Sequence, residues 1–476
     1  MKTCKPTTRL AASVMLALSA GVACAQTTPV PQSGGVVSAE QSSTITLGEA
    51  RALAHVALSR GDAELALKLG HSLLQANAKD ANALAIVAAA EAQRGDHRAS
   101  RVAAAKAYHA SDTDAARLKA AQFAARAAIL EKRPTLTQIW LRRAATNTTN
   151  ADDIKRIGAD YARVRAMNPF SFRIGGGVTP SDNVNNGADS ALQVIDGVPL
   201  VGQLSGSAQA LAGLIATTDI ALGYRIAQSK TAKTEIGARL YVKRVSLSSE
   251  AKALAPGLSA SEFGSTYADL SIDRHFRWGK PGNTGSVGVA VGRTWSGDER
   301  SYDFATLRGA RSIKLGDKTR ISFNGSLEKR KSAVRASQDQ TVATLGAQLS
   351  HQLEGGDTLA LAFSLSDVDA GHINQRESSA SMRASYFFGD SIGPAKVAAS
   401  LTIGQSEFND FRVGWIKVPG GRQDNSIYGD MTFFFEDYDY AGFAPSVRVR
   451  AGKRQSNVSR YEGSEISVGF EIKSRF

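Results

Sequence analysis

The sequence has little cysteine and no long apolar run beyond its first 25 residues. Its two cysteines, Cys4 and Cys24, both lie in that short segment, so the rest of the chain can form no disulfide. A transmembrane helix requires about 20 consecutive apolar residues, and no later stretch approaches that length. These absences exclude a disulfide scaffold and a helical membrane protein. Only helices and closed barrels satisfy the hydrogen bonds of their backbone in lipid, so any membrane crossing would require a closed barrel.

Motifs for catalysis and metal binding are also missing. The seven histidines show neither the H-E-x-x-H pattern nor a paired ligand spacing, and no G-x-S-x-G or phosphate loop occurs. Gly175-Gly176-Gly177 lies inside a predicted strand, where glycines permit bending or close packing. Asp273 and His275 form a lone Asp-x-His pair, the sole basis for a hydrolase alternative. The sequence therefore predicts no enzyme, no cofactor and no metal centre.

The charge balance is basic but diffuse. The chain has 57 Lys and Arg against 44 Asp and Glu, a net charge of +13, with no block of basic residues. An even spread favours an anionic membrane surface or an acidic partner. We therefore expect no nucleic-acid partner.

The first 44 residues have the composition of a leader followed by a linker. Lys2, Lys5 and Arg9 precede an apolar run over 10–22, and Ala23-Cys24-Ala25 is a small-x-small cleavage site. We predict a signal peptide over 1–25 and a flexible Pro-, Gly- and Ser-rich linker over 26–44. Lipid modification of Cys24 remains the alternative, although Gly21 stands where such sites prefer leucine.

Residues 45–167 have an alanine-rich helical texture with an internal repeat. Arg60-Gly61-Asp62 recurs as Arg94-Gly95-Asp96, an offset of 34 residues. That period, with glycine at the turn, resembles the tetratricopeptide (TPR) repeat, which presents a concave surface to peptides or other domains. The third repeat is degraded near residue 129. Helices are predicted over 46–59, 62–76, 80–94, 97–110, 113–131, 135–146 and 151–166. A plain helical bundle is the alternative.

From residue 168 the texture changes to alternating strands. Apolar and polar residues alternate with a period of two, as in Ile236, Ala238, Leu240 and Val242. The pattern predicts fourteen strands, an even number that suits a bacterial outer-membrane barrel. Their expected spans are 170–180, 212–228, 231–247, 264–277, 283–295, 301–315, 318–331, 339–353, 356–368, 376–389, 394–408, 423–437, 441–454 and 460–476. The fold class is thus α+β: TPR-like helices followed by a 14-stranded antiparallel transmembrane β-barrel. A soluble β-sandwich or β-solenoid is the alternative.

The expected connections and strand faces add detail to the barrel. Long outer loops are expected to alternate with tight inner turns, the longest being 181–211, 248–263 and 409–422. If the apolar faces meet lipid, a basic set of side chains faces the lumen. That set is Arg225, Arg239, Lys243, Arg448, Arg450, Lys473 and Arg475. It would attract anionic cargo or form a self-neutralised lattice with inner carboxylates.

A local motif at the start of the barrel resembles a known family. Asn168-Pro169-Phe170-Ser171-Phe172, followed by Pro180-Ser181-Asp182-Asn183-Val184-Asn185-Asn186, is similar to the "P-aromatic … P-D-S-N-x-N" signature of the surface lipoprotein assembly modifier (Slam) family. Ser181 and Asp182 stand in reverse order. The matching positions are Pro169, Phe170, Pro180, Asp182, Asn183 and Asn185. The residue types of Asp182, Asn183 and Asn185 also suit capping of a turn.

The resemblance covers about residues 45–476 and carries functional implications. It implies an outer-membrane translocon with its helical domain in the periplasm, which moves a protein client (a surface lipoprotein or a secreted haem- or metal-acquisition protein) to the cell surface. Its partners would be that client, outer-membrane lipid, the barrel assembly machinery and periplasmic chaperones. A channel or exopolysaccharide export porin built from TPR repeats and a barrel is the alternative.

The last strand predicts an assembly signal. Phe470, Ile472 and Phe476 share its apolar face, and an aromatic terminus resembles the signal by which the assembly machinery recognises new barrels. We predict that Phe476→Ser lowers the amount of the protein in outer-membrane fractions, measured by immunoblot, before it changes client choice. Normal barrel levels after removal of Phe476 and its strand would contradict this role.

Overall fold

The helices repeat in space with the period found in the sequence. The computed structural model describes residues 45–438 and 443–474, without the side chains of residues 473 and 474. Within that part, the helices before the sheet are α1 Leu47–Arg60, α2 Ala63–Ala76, α3 Ala81–Arg94, α4 His97–Ala110, α5 Asp114–Leu130, α6 Pro134–Ala145 and α7 Ala151–Met167. Adding 34 to the bounds of α1 and α2 reproduces those of α3 and α4. α5 extends to Leu130, so the third repeat departs from the pattern, as predicted.

The recurrent Arg-Gly-Asp turn has a direct physical cause. Gly61 and Gly95 have φ of 81° and 83°, a left-handed conformation that glycine adopts without steric cost. The following aspartates, Asp62 and Asp96, cap α2 and α4 by accepting hydrogen bonds from backbone N–H groups three residues on. The motif therefore ends one helix and starts the next.

Asp80 joins two consecutive repeats. Its carboxylate caps α3 and accepts a 2.7 Å hydrogen bond from Arg51 of α1. Burial alone would raise the pKa of Asp80, but the bonds from Arg51 and from the N–H groups of Ala83 and Asn82 lower it below its usual value. This contact stabilises the packing of α1 against α3.

Small residues allow the helices to pack closely. The core is dominated by buried alanines, and its largest side chains include Trp140 and Leu141. Gly70 of α2 faces α3, where an added Cβ would lie 2.8 Å from Cγ2 of Val87. No helix among the described residues combines the length and the apolar character needed to cross a bilayer.

Fourteen antiparallel strands close into a barrel within the described part of the chain. Their order is β1-β18-β17-β16-β13-β12-β11-β10-β9-β8-β7-β6-β5-β4, and β2–β3 and β14–β15 are small hairpins in loops. The bounds are β1 Phe170–Ser181, β2 Leu192–Val194, β3 Val201–Gln203, β4 Gly213–Gln228, β5 Ala232–Leu247, β6 Ser265–Arg277, β7 Thr284–Ser296, β8 Glu299–Leu315, β9 Thr319–Ser332, β10 Gln340–Gln352, β11 Thr358–Ala370, β12 Glu377–Phe387, β13 Lys396–Phe408, β14 Arg412–Val413, β15 Ile416–Lys417, β16 Arg422–Phe434, β17 Phe443–Ser456 and β18 Gly463–Ser474. The predicted fold class is confirmed.

The alternation of each barrel strand produces an exposed apolar belt. Leu270, Val291 and Leu345, on three different strands, are 61%, 57% and 65% exposed. Along each strand, the residues that alternate with the belt residues are mostly small, polar or charged, and they face the interior. An apolar outer belt around a polar interior is the surface distribution of a membrane barrel and not that of a soluble sandwich.

The connections differ at the two ends of the barrel. At the end that receives the chain from α7, the described turns are short, such as 229–231 and 316–318. At the far end, 182–212 and 248–264 (with helix α8 Ser249–Leu254) are long, as predicted. The prediction that long and short connections alternate regularly is wrong, however. Gly297 and Asp298 alone join β7 to β8 at the far end, with φ of 59° and 68°, because two left-handed residues form a tight hairpin turn whose twist matches that of the strands.

The far-end loops pack on one another. Val184, Leu211 and Leu247 form one buried cluster, and Phe408, Phe411 and Val458 belong to a second. In the second, the Arg422 guanidinium carbon lies 3.5 Å from the centre of the Tyr461 ring and 3.9 Å from that of Phe408. These loops therefore have cores of their own.

Some sequence expectations concern residues outside the described part. The signal peptide, the linker up to residue 44, Arg475 and Phe476 all lie there. Those expectations stay predictions.

Gly70 and Gly158 provide a matched test of helix packing. A Cβ on Gly158 of α7 meets no atom within 4 Å. Gly158→Ala should therefore raise the thermal midpoint of the helical transition, since alanine is favoured over glycine in helices by about 1 kcal/mol. Gly70→Ala should lower the midpoint, because the clash with Val87 outweighs that gain. Circular dichroism of the full chain in detergent measures both. An equal rise in the two variants would contradict close packing at Gly70.

Candidate functional site

The helical domain contains a groove between α5, α6 and α7. Its volume is about 720 Å³, and its apolar lining includes Leu118 and Ile129 of α5, Leu141 of α6, and Ile157 and Val164 of α7. Met167, the last residue of α7, also lines it and is 58% exposed. An apolar groove of this kind between helices can accept a helix or an extended peptide with apolar side chains.

Cations predominate around this groove. Its lining has four basic side chains, Lys119, Arg126, Arg156 and Arg163, against two acidic ones, Asp153 and Asp160. Asp153 pairs with Arg156, and Asp160 lies 3.2 Å from Arg163. Lys119 and Arg126 are exposed and have no ion-pair partner among the described residues. The groove therefore presents unpaired positive charge beside an apolar floor.

Local capping sets the start of α7 and hence one wall of the groove. The Asn150 side-chain oxygen accepts hydrogen bonds from the N–H groups of Asp152 and Asp153, at 2.9 and 3.2 Å. Both carboxylates then lie in the first turn, where the helix dipole favours negative charge.

Asn168 connects the helices to the barrel. It is 7% exposed, and its amide nitrogen donates to Thr135 Oγ1 and Gln138 Oε1 of α6 at 3.1 and 2.6 Å. Its side-chain oxygen accepts from the N–H of Phe170, the first residue of β1, at 3.0 Å. One buried amide thus bonds to both the helical domain and the first strand.

Two arginines reinforce this junction. Arg225 of β4 donates to the carbonyl oxygens of Ala166 and Met167 at 3.1 and 2.9 Å, so it caps the C-terminus of α7. The Arg142 guanidinium of α6 lies 5.3 Å from the centre of the Phe443 ring in β17. Arg225, predicted as a lumen cation, therefore bonds to the helical domain.

The two prolines of the start motif lie at opposite ends of β1. Pro169 precedes β1, and its carbonyl oxygen accepts from the Arg225 N–H at 2.8 Å. Pro180 is opposite Leu214 of β4, and Phe170 is on the face of the apolar belt. The motif therefore spans the whole first strand.

The polar residues of the motif organise the first far-end loop. Asp182 accepts from the Ile466 N–H at 3.0 Å, which extends the contact between β1 and β18. Asn183 exchanges two hydrogen bonds with the backbone of Gly187, at 2.7 and 3.0 Å. Asn185 donates to the Gln209 carbonyl at 2.7 Å and accepts from the Leu211 N–H at 2.9 Å. Every one of these contacts is to backbone, which indicates a structural role.

Three of the basic residues predicted for the lumen, Arg239, Arg448 and Arg450, are paired with carboxylates. Arg239 forms two hydrogen bonds with Asp219, at 2.9 and 3.0 Å. Arg448 pairs with Asp430, which is 4% exposed, and Arg450 lies 3.6 Å from Glu465. Lys243 shares their interior face but has no ion pair among the described residues. The interior is closer to a self-neutralised lattice than to an open cationic wall. A half-exposed pair such as Arg239–Asp219 contributes about 0–1 kcal/mol.

The last strand places its apolar residues in the belt. Phe470 and Ile472 are 55% and 57% exposed and lie opposite Val178 and Gly176 of β1. Lys473 is opposite Ala444 of β17. β18 therefore closes the barrel against β1.

The lone Asp-x-His pair does not form a catalytic arrangement. Arg308 donates to both oxygens of Asp273, at 2.9 and 2.6 Å, and His275 lies 3.8 Å from Glu235. Among the described residues, no three His, Cys, Asp or Glu side chains come close enough to hold a metal ion.

Neither the groove nor the junction is predicted by the sequence patterns. Lys119 and Arg126 are seven residues apart on α5, a spacing that places them on one helix face and was a usable signal. The α6 partners of Asn168 and the α7 partners of Arg225 lie more than 25 residues away in sequence. No local pattern identifies such contacts.

Comparison with known proteins gives no family assignment. No family model and no curated protein matches the chain. Among solved structures, the yeast Sti1 TPR2B domain is 19% identical, covers 25% of this chain and 97% of its own, and has a TM-score of 0.24. The Yersinia enterocolitica type III secretion translocator chaperone SycD is 14% identical, and the match covers 25% of this chain and 84% of SycD with a TM-score of 0.24. A BenF-like porin from Pseudomonas fluorescens is 9% identical, and the match covers 64% of this chain and 98% of the porin with a TM-score of 0.36. Similarities this weak assign no function.

The contacts at the junction predict that the connection between α7 and the barrel resists proteolysis. Arg225→Ala removes both hydrogen bonds to the end of α7, so trypsin should cleave the folded chain after Arg165 about tenfold faster, a change of about 1.4 kcal/mol in local opening. Arg239→Ala, which makes the same truncation on the neighbouring strand, is the control. Gel electrophoresis measures the cleavage rate. Equal rates in the two variants would contradict a stabilising role for the Arg225 hydrogen bonds at the junction.

Proposed function

We propose that the chain is an outer-membrane translocon component of the Slam type, which receives a protein client in the periplasm and passes it to the cell surface. One observation carries the proposal. Met167 lines the apolar, cationic groove, and its carbonyl oxygen is bonded to Arg225 of β4, so a bound segment would lie beside the barrel mouth. A groove with no relation to the barrel would not require this placement.

The surface of the barrel supports the proposed membrane location. An exposed apolar belt on every side would associate nonspecifically in water, whereas hydrocarbon accepts it. The helices attach at the end with the short turns, which in bacterial outer-membrane barrels is the periplasmic end. The proposed organisation is a signal peptide over 1–25, a linker over 26–44, a periplasmic helical domain over 45–167 and an outer-membrane barrel over 168–476.

The chemistry of the groove defines the class of client. Its floor favours apolar side chains, and Lys119 and Arg126 favour carboxylates near them. A partly unfolded, acidic segment of a surface lipoprotein or a secreted haem- or metal-acquisition protein meets both requirements. No nucleotide or cofactor enters this step. Folding of the client outside the cell would supply the free energy.

The motif residues receive structural roles in this proposal. Pro169 and Phe170 continue the junction held by Asn168, and Asp182, Asn183 and Asn185 shape the first far-end loop. Phe470, Ile472 and Phe476 would present the last strand to the barrel assembly machinery, after periplasmic chaperones deliver the chain. The paired interior arginines stiffen the barrel wall more than they attract cargo.

A charge reversal in the groove tests the proposal. Mass spectrometry of peptides shaved from the surface of intact cells first defines the client as the protein lost from the surface when this gene is deleted. Lys119→Glu/Arg126→Glu should then reduce surface display of that client at least tenfold, because two attractive charges become repulsive. The amount of barrel in the outer membrane should not change.

The control is a reversal of equal size elsewhere on the helical domain. Lys68 and Lys79 are exposed and do not line the groove, so Lys68→Glu/Lys79→Glu should display the client normally. A chain lacking residues 45–166 sets the level of display without a helical domain. An unchanged surface proteome after gene deletion, with altered uptake of small solutes or sugars, would favour the channel or polysaccharide alternative instead.

A further inference from the structure

A cluster of cations lies on the outside of the barrel near its far end. Arg293 of β7, Arg300 of β8, and Lys329 and Lys331 of β9 belong to three neighbouring strands. All four are exposed. We refer to them as the outer cationic cluster.

Strand register places this cluster on the lipid-facing side. Arg293, Asp303 and Lys331 form one row across the three strands, because Arg293 pairs with Asp303 and Asp303 pairs with Lys331. Arg293 follows Val289 and Val291 with a period of two, so it lies on the same face of β7. The two valines are 51% and 57% exposed. Lys329 and Lys331 follow the 51% exposed Leu327 with the same period of two. The cluster therefore continues the apolar belt toward the far end.

Internal pairing neutralises only part of the cluster. Asp303 accepts hydrogen bonds from Arg293 at 2.7 and 3.3 Å and also pairs with Arg300. Lys329 and Lys331 have no ion-pair partner among the described residues. Asp298 in the hairpin turn and Glu299 at the start of β8 lie beyond the level of Asp303. The two lysines thus keep their charge directly above the apolar surface.

The rim is not uniformly basic. On β11 and β13, the lipid-facing positions toward the same end are Asp367, Asp369 and Glu407, which follow the belt residues Leu365 and Ile403. Arg244 of β5 and Lys453 of β17 are single cations at lipid-facing positions toward this end, so among the described residues the cations are concentrated on the β7–β9 wall. A general requirement for solubility of the rim would not produce this asymmetry.

We propose that the outer cationic cluster binds phosphate groups on the headgroups of glycolipids in the outer leaflet. Charged side chains on the lipid face are costly inside hydrocarbon but are accommodated at the headgroup level. There, a guanidinium can bond to two phosphate oxygens and a lysine contributes a point charge. Asp303 would hold both arginines in position, and Lys329 and Lys331 would supply the free charge. The inference rests on the proposed orientation, with the helical domain in the periplasm.

Binding of purified lipopolysaccharide to the full chain in detergent tests this site. Native mass spectrometry should show adducts with the wild-type chain. Lys329→Ala/Lys331→Ala should weaken binding about tenfold or more, since each basic residue near an anionic membrane surface contributes about fivefold. Lys329→Arg/Lys331→Arg should retain binding, which separates lost charge from lost folding. Heat-modifiable mobility on gels checks that each barrel is folded.

Controls distinguish the lipid site from nonspecific charge effects. Lys230→Ala/Lys280→Ala removes two exposed cations from turns at the opposite end and should leave binding unchanged. Dephosphorylated lipopolysaccharide should bind weakly to every variant, and inorganic phosphate at millimolar concentration should not displace the intact glycolipid. Equal binding by the wild type and the double alanine variant, or indifference to the phosphates, would overturn the proposal. Client display is scored separately, so either proposal can fail without the other.

Discussion

Closure of the strand ladder is the constraint on which the rest of the structure depends. A strand in hydrocarbon has no water to satisfy its backbone, so each must pair on both sides. β1 meets this requirement by pairing with β4 on one edge and with β18, from the other end of the chain, on the second. Closure then fixes which face of every strand is outside, and a slip of one residue would exchange lipid-facing Ile472 for Glu471.

Once the faces are set, polar side chains are confined to the interior and the ends. Several interior arginines have carboxylates on nearby strands, as in Arg239 with Asp219, because unpaired charges in a restricted interior are costly. Arg383 and Arg448 share Asp430 across three strands. Exposed cations with no such partner, including Lys329 and Lys331, lie at the strand ends, where headgroups replace hydrocarbon. Charge placement thus follows from the barrel and not from sequence position.

Features that repeat with a short period could be predicted from the sequence, and long-range contacts could not. Each bound of α1–α7 agrees with its prediction to within one residue, because the Arg-Gly-Asp turns and the other caps act by local contacts. The fourteen strands were recognisable from their alternation. The two-residue turn at Gly297-Asp298 was missed because loop length depends on the pairing partner as well as on turn residues. The groove also escaped prediction, since it requires α5 and α7 to be placed by packing.

The attachment of the helical domain has a mechanistic consequence. A flexible tether would leave the groove free to reorient, and a bound segment would gain no directed access to the barrel. Asn168, Arg225 and Arg142 instead bond α6 and α7 to β1, β4 and β17, strands from both sides of the closure. Three such contacts on different strands resist rotation about the single covalent link at Pro169. Because the groove shares α6 and α7 with this junction, a segment bound there is held in a defined position relative to the barrel. Under the proposed function, binding in the groove would also orient the segment relative to the barrel, because the segment would not have to find the barrel by free diffusion.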